Sequence, residues 1–237
     1  MTAVFDVRHY DNVGSTNDEA RRLALEGAPH GTVVHADEQT AGRGRMSRRW
    51  ISPRGNLYLS VLLRLDVPLV RRAELSFVSA LAVADTVDAL LPKRIRAMLK
   101  WPNDVLVRGA KISGILVEHV EPVSIVGIGL DVLHAPACAG YKTTSIAASS
   151  GIAAVDSARD LLLDRLGHRL DAWQRDGFAP IREAWLARAH PIGAALLVTV
   201  SGQTIKGDFA GLDANGALLL DTRPGRQRIV SGDVAAG

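Results

Sequence analysis

This chain of 237 residues contains a single cysteine, Cys138, and no long hydrophobic run. One cysteine excludes a disulfide framework, and no Cys/His cluster has the spacing of a zinc site. A bilayer-spanning helix needs about 18 consecutive apolar residues, and no segment approaches that length. The first residues include acids and no apolar stretch, which is not the pattern of a secretory signal peptide. We therefore expect a cytoplasmic protein that does not use a membrane.

Acidic residues are absent from one strongly basic segment. Residues 42–49 read GRGRMSRR, with two glycines, four arginines and no Asp or Glu. Glycines let backbone N–H groups approach a ligand closely, and guanidinium groups match phosphate or carboxylate oxygens, although a solvated basic turn has the same composition. Because no acid lies nearby in sequence, we expect a loop that is mobile when empty and orders on an anion. The segment matches neither the Walker A pattern nor the dinucleotide fingerprint.

The remaining composition is that of an ordinary globular protein, with 47% apolar and 22% charged residues. Its length suits one large domain, or a medium domain plus a small one. The formal net charge of +3 permits an anionic substrate or partner without requiring one. Because the basic loop has no interleaved aromatic residues, a nucleic-acid-binding protein is a weak alternative, which salt-sensitive binding to single strands would revive.

Hydrophobic periodicity predicts an α+β fold in which helices pack on a mixed sheet, followed by a small β domain. Three-to-four spacing predicts a long helix over Arg71–Leu91, and two further helices follow near Ser157–Asp176 and Ala179–Ala189. From about His190 onward, short strands with closely spaced turns predict a small barrel. We expect residues 1–189 and 190–237 to form separate domains. The strands predicted in the first part are Phe5–Tyr10, Gly31–Gln39, Gly55–Leu65, Ile95–Trp101, a hairpin over Asp104–Val120, and Pro122–Val132.

A polar cluster opens the first predicted helix, in the stretch GSTNDEARRLALEG. Thr16 and Glu19 have the spacing of a capping box, and Gly27 suits the position after the last turn. A plain helix cap explains Ser15, Thr16 and Asn17. The same polar groups at a helix N-terminus also form a donor-rich site for a polar head group.

Two further segments combine charge or glycine with strand ends. In KWPNDVLV…GAKISGILVE, the hairpin returns Lys111 to the neighbourhood of Lys100, Asn103 and Asp104. This cluster is either an ordinary charged strand end or an electrostatic clamp for a phosphoryl group, with Asp104 as a candidate magnesium ligand. In GIGLDV, residues 127–132, the glycines indicate either close approach of a ligand to the backbone or a helix packed against the sheet.

Taken in order, these segments resemble the biotin–protein ligases. The resemblance rests on STN, QTAGRGRMSRRW, GNLYLS, KWPNDV, KISGILVE, GIGLDV, PIG and the short β tail, and it runs from about residue 8 to residue 233. The arginine and glycine loop and KWPND are its most specific parts.

The resemblance implies a ligase that uses ATP with Mg²⁺. The enzyme converts biotin and ATP into biotinyl-5′-AMP and pyrophosphate. It then transfers the biotinyl group to one lysine of a biotin carboxyl carrier protein domain, typically of acetyl-CoA carboxylase or a related carboxylase. It implies a catalytic domain similar to class II aminoacyl-tRNA synthetases and an SH3-like C-terminal barrel. Because the catalytic pattern begins within the first ten residues, we expect a monofunctional ligase without specific DNA binding. Family members occur as monomers or homodimers.

The resemblance also implies a set of site residues. Those expected at biotin are Ser15, Thr16, Asn17, Gln39, Arg43, Gly44, Arg45, Lys111 and Gly114. Those expected at the nucleotide are Arg43, Arg45, Arg48, Trp50, Lys100, Asn103 and Asp131. Lys111 and Arg45 would stabilise charge that develops at the α-phosphorus, and Asp104 would hold magnesium or orient the target lysine.

Two residues depart from the family pattern. Ser47 stands where a second loop glycine is usual, which restricts the backbone and would slow or alter loop closure. Asp131 stands where an Asn that contacts adenine is usual. An ionised Asp accepts hydrogen bonds but cannot donate them, so we expect weaker ATP binding than in an Asp131→Asn variant.

Three other functions remain open at this point. A lipoate or octanoate ligase of the same superfamily would also modify a carrier lysine. Octanoyl transferases of this fold use an acyl-cysteine, and Cys138 has no motif around it, which favours biotin. The departures at Ser47 and Asp131 also allow a biotin-binding sensor with weak catalysis.

Overall fold

The computed structural model describes residues 4–137, 141–151 and 154–237. Cys138 lies outside these ranges, so its expected lack of a role is not tested. Strands β1 to β7 form one sheet in the order β1-β2-β3-β7-β6-β5-β4, in which β1 and β2 are parallel and the other neighbours are antiparallel. The strands are β1 Asp6–Tyr10, β2 Thr32–Ala36, β3 Leu57–Arg64, β4 Ala97–Lys100, β5 Asp104–Val107, β6 Ala110–Val120 and β7 Val123–Leu130.

Helices cover both faces of this sheet. Helix α1, Thr16–Leu25, packs Ala20 and Leu23 on one face, against Leu62 of β3 and Ile125 of β7. The opposite face is covered by α3, α4 and α5. Strand β3 reads as a continuous apolar run because it is buried between the two helical layers. The helices after α1 are α2 Leu69–Arg72, α3 Leu75–Leu90, α4 Val155–Asp176 and α5 Phe178–Leu186.

A five-stranded antiparallel sheet follows, in the order β11-β10-β9-β8-β12. It is fixed to the first part by polar and apolar contacts: Trp101 Nε1 donates to the Gly216 carbonyl at 3.0 Å, and Arg182 Nε donates to the Leu212 carbonyl at 2.9 Å. Apolar side chains of both sheets belong to one continuous core. These strands are β8 Ala195–Val200, β9 Gln203–Leu212, β10 Leu218–Thr222, β11 Gly225–Ile229 and β12 Asp233–Ala236.

The predicted fold class is confirmed, namely a mixed sheet with packed helices followed by a small β domain. The boundary between residues 189 and 190 stays a prediction. Two local expectations were wrong in detail: the strand expected over Gly31–Gln39 contracts to β2, and the helix expected over Arg71–Leu91 divides into α2 and α3. No helix in the described ranges is long and apolar enough to cross a membrane.

The predicted capping box at the start of α1 is also wrong. Ser15 is the N-cap residue, and its side chain makes no capping hydrogen bond. The N–H of Thr16 donates instead to Gln39 Oε1 at 2.8 Å. Glu19 accepts hydrogen bonds from Arg22. A residue distant in sequence has therefore replaced the local cap.

Candidate functional site

Three glycines form the floor of the main cavity. Gly127 and Gly129 of β7 lie on the same face as Ile125, which packs against α1, and Gly114 of β6 pairs with Gly129. Because these positions lack side chains, the sheet leaves a hollow beside α1, and the cavity there has a volume of about 680 Å³. A volume of this size accommodates a cofactor-sized ligand.

The glycines also make room for two side chains of the site. A Cβ atom at Gly127 would overlap Asn17 Oδ1. A Cβ atom at Gly129 would lie 2.5 Å from Trp50 Nε1. Because Asn17 belongs to α1, Gly127 also lets that helix pack closely on the sheet, whereas Gly129 makes room for the indole ring of Trp50.

The cavity collects nearly all the residues predicted from the sequence. They come from α1, from the basic loop, from β4 with its following turn, and from β6. The predicted residues that line it are Ser15, Thr16, Asn17, Gln39, Arg43, Gly44, Arg45, Arg48, Trp50, Lys100, Asn103, Asp104, Lys111 and Gly114. The exception is Asp131, which lines a narrow adjoining recess beside Trp50 and Lys111.

One end of the cavity, here called the head-group end, is a buried network of neutral polar side chains from α1, β3 and the loop after β2. Ser60 Oγ donates to Asn17 Oδ1 at 2.6 Å and lies 2.7 Å from Thr16 Oγ1. Gln39 Nε2 donates to Ser52 Oγ at 2.9 Å, which directs Gln39 Oε1 toward Thr16. The side chains are therefore held in place before any ligand arrives.

The middle of the cavity carries two lysines on one carboxylate. Asp104 Oδ2 lies 2.9 Å from Lys100 Nζ, and Asp104 Oδ1 lies 2.5 Å from Lys111 Nζ. Burial pushes the pKa of Asp104 upward, but Lys111 and Lys100 outweigh this and hold the pKa below its ordinary value. The convergence that the hairpin predicted is therefore present, with one excess positive charge directed at the cavity.

A resident magnesium ion does not fit this cluster. Both carboxylate oxygens of Asp104 are occupied by ammonium groups. In the parts of the chain that the structure describes, no group of three His, Cys, Asp or Glu side chains is placed to hold a metal. Asp104 therefore holds the two lysines in this arrangement, and its expected contact with the magnesium ion that ATP brings stays a prediction.

Asn103 is partly committed to the backbone. Its Nδ2 donates to the Ile115 carbonyl at 2.6 Å, while its own carbonyl accepts the N–H of Ile115 at 3.0 Å. This pair joins the turn after β4 to β6. Asn103 therefore shapes the wall of the cavity in addition to lining it.

Trp50 lies on the glycine floor. The ammonium group of Lys111 is 5.3 Å from the centroid of its ring, within the range of a cation–π interaction. The indole Nε1 is buried, and no residue in the described ranges accepts its hydrogen. A buried donor without an acceptor costs free energy, so this atom marks a place where a ligand acceptor would be stabilising.

The basic loop closes as a tight hairpin. Gly44 N–H donates to the Arg48 carbonyl at 2.7 Å. Met46 and Ser47 adopt left-handed backbone angles, with φ of 55° and 56°. This conformation costs a residue other than glycine about 1–2 kcal/mol, so the serine that replaces the expected glycine does restrict the backbone here.

Arg43 has acidic partners that are distant in sequence. Its Nη1 and Nη2 bind both carboxylate oxygens of Asp18, and its Nη2 lies 3.5 Å from Glu118 Oε1. These pairs raise the pKa of Arg43 through the hydrogen bonds with Asp18. No acid lies near Arg43 within the loop sequence, and the folded chain supplies acids from α1 and β6 instead.

Two more arginines of the loop, Arg45 and Arg48, contact the C-terminal sheet. Arg48 Nη2 pairs with Asp233, 185 residues away. Arg45 Nη1 donates to the Gly232 carbonyl and Arg45 Nη2 to Ser231 Oγ, both at 3.2 Å. Burial lowers the pKa of Arg45, although Asp233 and Asp104 partly oppose this. The start of β12 thus forms one wall of the cavity, which sequence reasoning missed.

This contact predicts that Asp233→Asn will loosen the loop. An exposed ion pair contributes about 0–1 kcal/mol, so we expect trypsin to cleave after Arg45, Arg48 or Arg49 two- to fivefold faster. Limited proteolysis of the ligand-free protein measures this rate. Asp221→Asn, which breaks the Asp221–Arg226 pair in the same sheet, is the matched control and should leave cleavage in the loop unchanged. Equal rates in native protein and Asp233→Asn would contradict the prediction.

Asp131 is a buried carboxyl group whose surroundings favour its neutral form. Burial raises the pKa of Asp131 to about 8, against a smaller opposing effect of Lys111. Asn56 Oδ1 accepts three backbone N–H groups at 2.9–3.0 Å, which directs its Nδ2 to Asp131 Oδ1 at 3.0 Å. Burial therefore favours the neutral form of Asp131 at pH 7, in contrast to the expectation of an ionised carboxylate. A protonated Asp131 both donates and accepts, as an Asn does.

Comparison with known proteins agrees with this geometry. A model of the Biotin/lipoate A/B protein ligase family matches residues 12–132, and a model of the Biotin protein ligase C terminal domain matches residues 195–237. The biotin–[acetyl-CoA-carboxylase] ligase of Paracoccus denitrificans is 39% identical over 238 residues, which cover 94% of this chain and 97% of that protein. The bifunctional ligase/repressor BirA of Bacillus subtilis is 36% identical over 97% of this chain and 73% of its own length.

Among solved structures, the biotin protein ligase from Aquifex aeolicus in complex with biotin and ATP is similar over the whole chain. The TM-score is 0.83 at 28% sequence identity, and the match covers 97% of each chain. The biotin protein ligase from Leishmania major in complex with biotinyl-5-AMP has a TM-score of 0.69 at 23% identity, which shows the same fold.

Proposed function

The chain belongs to the biotin/lipoate A/B protein ligase family and is an enzyme of the biotin–protein ligase type, and we propose that it makes biotinyl-5′-AMP from biotin and ATP. It then transfers the biotinyl group to one lysine of a biotin carboxyl carrier protein domain. The observation that carries this proposal is the division of one cavity into two chemically different ends. The head-group end is neutral and hydrogen-bonding, whereas the middle carries Lys100, Lys111 and Arg45.

This division fits a ligand pair with a neutral polar head and two anionic ends. The head-group end, with Thr16, Asn17 and Gln39, would hold the ureido ring of biotin. Lys111 and Arg45 would lie between the biotin carboxylate and the α-phosphate. Trp50, Arg48 and Asp131 would contact the nucleotide, which brings Mg²⁺ as part of the ATP substrate.

The first half-reaction needs no nucleophile from the protein. A carboxylate oxygen of biotin forms a bond to the α-phosphorus, and the bond from that phosphorus to the bridging oxygen of pyrophosphate breaks. The cavity contributes by bringing two anions together and by stabilising the negative charge that develops on the phosphoryl oxygens. Asp104 holds the ammonium group of Lys111 in position for this task.

In the second half-reaction the neutral amine of the carrier lysine attacks the carbonyl carbon of the mixed anhydride. An amide bond forms, the bond from that carbon to the phosphate oxygen breaks, and AMP leaves. The basic loop would exclude water from the anhydride until the carrier arrives. We propose the carrier domain of acetyl-CoA carboxylase or a related carboxylase as the acceptor, in keeping with the name of the Paracoccus relative. Specific DNA binding is not expected, and the chain functions as a monomer or homodimer.

Exchange of labelled pyrophosphate into ATP tests the proposal. The purified protein is incubated with ATP, magnesium and either biotin or lipoate. We expect exchange with biotin and none with lipoate. Exchange with lipoate alone would show that the protein is a lipoate ligase. Binding of biotin without any exchange would indicate a biotin sensor.

The two floor glycines of β7 predict separable binding defects. Gly127→Ala should displace Asn17 and lower biotin affinity at least tenfold while ATP affinity changes less than threefold. Gly129→Ala should displace Trp50 and produce the opposite pattern. Calorimetric titration of each variant with biotin and with a non-hydrolysable ATP analogue measures both effects. Since the substitution is the same and the positions lie two residues apart, each variant is the control for the other, and two identical patterns would refute the assignment of the ends.

A further inference from the structure

Glu118 of β6 borders the head-group end without lining the cavity itself. Its Oε2 accepts a hydrogen bond from Asn17 Nδ2 at 2.7 Å. Its Oε1 faces two guanidinium groups, those of Arg21 at 3.4 Å and Arg43 at 3.5 Å. The two carboxylate oxygens are therefore divided between an amide that lines the cavity and two cations that hold the carboxylate in place.

This carboxylate decides which way the Asn17 amide points. Because an ionised carboxylate only accepts hydrogen bonds, the NH₂ group of Asn17 must face Glu118. Asn17 Oδ1 is then fixed above Gly127, where the hydroxyl of Ser60 donates to it at 2.6 Å. Ser60 alone would not fix this orientation, since a hydroxyl group accepts from an NH₂ group as readily as it donates to a carbonyl.

The orientation of Asn17 determines the hydrogen bonds of its neighbour. The single hydrogen of the Ser60 hydroxyl is used by Asn17. The hydrogen of Thr16 is directed to Gln39 Oε1 at 3.1 Å, inside the protein. Asn17 Oδ1 and Thr16 Oγ1 consequently offer lone pairs, not hydrogens, to a ligand. The head-group end accepts hydrogen bonds at these two atoms.

We propose that Glu118 is a positioning residue that acts through Asn17, fixing the head-group end as a hydrogen-bond acceptor and so selecting a ligand head with N–H donors. The cyclic urea of biotin has two N–H groups, whereas the dithiolane of lipoate has none. The proposal rests on the proposed function and names a residue that decides between the two substrates of the superfamily. Glu118 is 23% exposed at its side chain, and no bound ligand would need to contact it.

A double-mutant cycle tests the route through Asn17. Glu118→Gln preserves size but lets the side chain donate, so the Asn17 amide is free to turn. We expect biotin affinity to fall about fivefold, the equivalent of one hydrogen bond. In an Asn17→Ala background the same substitution should change biotin affinity less than twofold. Additive effects, or no loss in the single variant, would overturn the proposal.

Asp18→Asn is the matched control. It also removes one negative charge beside Arg43, but Asp18 has no hydrogen bond to Asn17 among those of the described residues. It should leave biotin affinity within twofold of native, and a loss equal to that of Glu118→Gln would show that the effect runs through Arg43. Glu118→Gln should also lower the ratio of biotin to lipoate affinity, because lipoate has no N–H donor to lose.

Two further measurements keep the outcome decisive. If Glu118→Gln does not fold, as judged by circular dichroism, Glu118→Ala replaces it in the same cycle with Asn17→Ala, and additivity there overturns the proposal. Titration of the native protein with biotin and with lipoate tests the proposed function separately from the role of Glu118. Native protein that binds lipoate, or neither ligand, overturns the proposed function together with the role of Glu118. Native protein that binds biotin, with an additive cycle, overturns only the role of Glu118.

Discussion

Replacing Asp131 by Asn is expected to flatten the dependence of the unfolding free energy on pH between about pH 4 and pH 8. The folded protein holds the Asp131 proton with a pKa of about 8, compared with an ordinary value of 3.8. The unfolded chain therefore binds fewer protons throughout this window, and the unfolding free energy of the native protein falls as pH rises. The stabilising effect of the bound proton is complete below pH 4 and lost above pH 8. Asn carries no charge in either state and has no such slope.

The expected magnitude is large. One pKa unit corresponds to about 1.4 kcal/mol, so the difference between Asp131→Asn and native protein should change by on the order of 5 kcal/mol across the window. Urea denaturation at several pH values measures it. Asp221→Asn, at an exposed position paired with Arg226, is the control and should follow the native curve from pH 5 to pH 8. Parallel curves for native protein and Asp131→Asn would mean that Asp131 is ionised when folded.

The same ionisation gives the expected ATP affinity a pH dependence. Below pH 8 the protonated carboxyl group offers both a donor and an acceptor, so native protein and Asp131→Asn should bind ATP within twofold of each other. Above pH 8 the native carboxylate only accepts, and its affinity should fall below that of the variant. Calorimetric titration with a non-hydrolysable ATP analogue at pH 6.5 and pH 9 measures both conditions. If native protein binds the ATP analogue more weakly than Asp131→Asn at both pH values, Asp131 is ionised at both.

Lys111→Met is expected to lower the rate of adenylate formation by about 10²–10³-fold. The ammonium group of Lys111 lies 2.5 Å from Asp104 and faces the middle of the cavity. A preorganised cation there stabilises charge in the transition state that solvent water would stabilise less well. Met retains most of the apolar stem, and Asp104 keeps its ion pair with Lys100 at 2.9 Å, so the variant leaves no buried charge unpaired.

Single-turnover measurement of biotinyl-5′-AMP separates this effect from binding, since the dissociation constants of biotin and the ATP analogue are determined independently. We expect those constants to change less than tenfold. Lys142→Met is the matched control, because Lys142 also lines the cavity but is exposed. It should retain most of the native rate. If Lys111→Met keeps more than a tenth of the native rate, Arg45 or Lys100 provides most of the electrostatic stabilisation of the transition state.

Much of the architecture was predictable because its causes are local. Each of three signals lies within a short window of sequence. They are the apolar residues of β3, the three-to-four spacing of α3, and the short strands with closely spaced turns after about residue 190. The meeting of Lys100, Asp104 and Lys111 was also predictable, since a hairpin returns one strand to the end of its neighbour. The glycines of β7 are visible in the sequence as missing side chains, but the sequence left open whether a ligand or a helix lies against them.

The acidic partners of the loop arginines were not predictable, because they come from elements far apart in the chain. Asp18, Glu118 and Asp233 have no sequence relation to the loop, and only folding brings them to Arg43 and Arg48. The start of α1 shows the same effect, where Gln39 displaced the local capping pattern at Thr16.

The secondary-structure elements, the kind of chemistry and many of the residues that line the cavity follow from the sequence alone. Folding is what pairs the charges, favours the neutral form of Asp131 through burial, and directs the hydrogen bonds of the head-group end. Periodicity and turn chemistry act over a few residues, whereas ionisation and hydrogen-bond direction depend on burial and on neighbours brought together by folding. Ionisation and hydrogen-bond direction therefore depend on the position of a residue in the fold and cannot be read from a short segment of the chain.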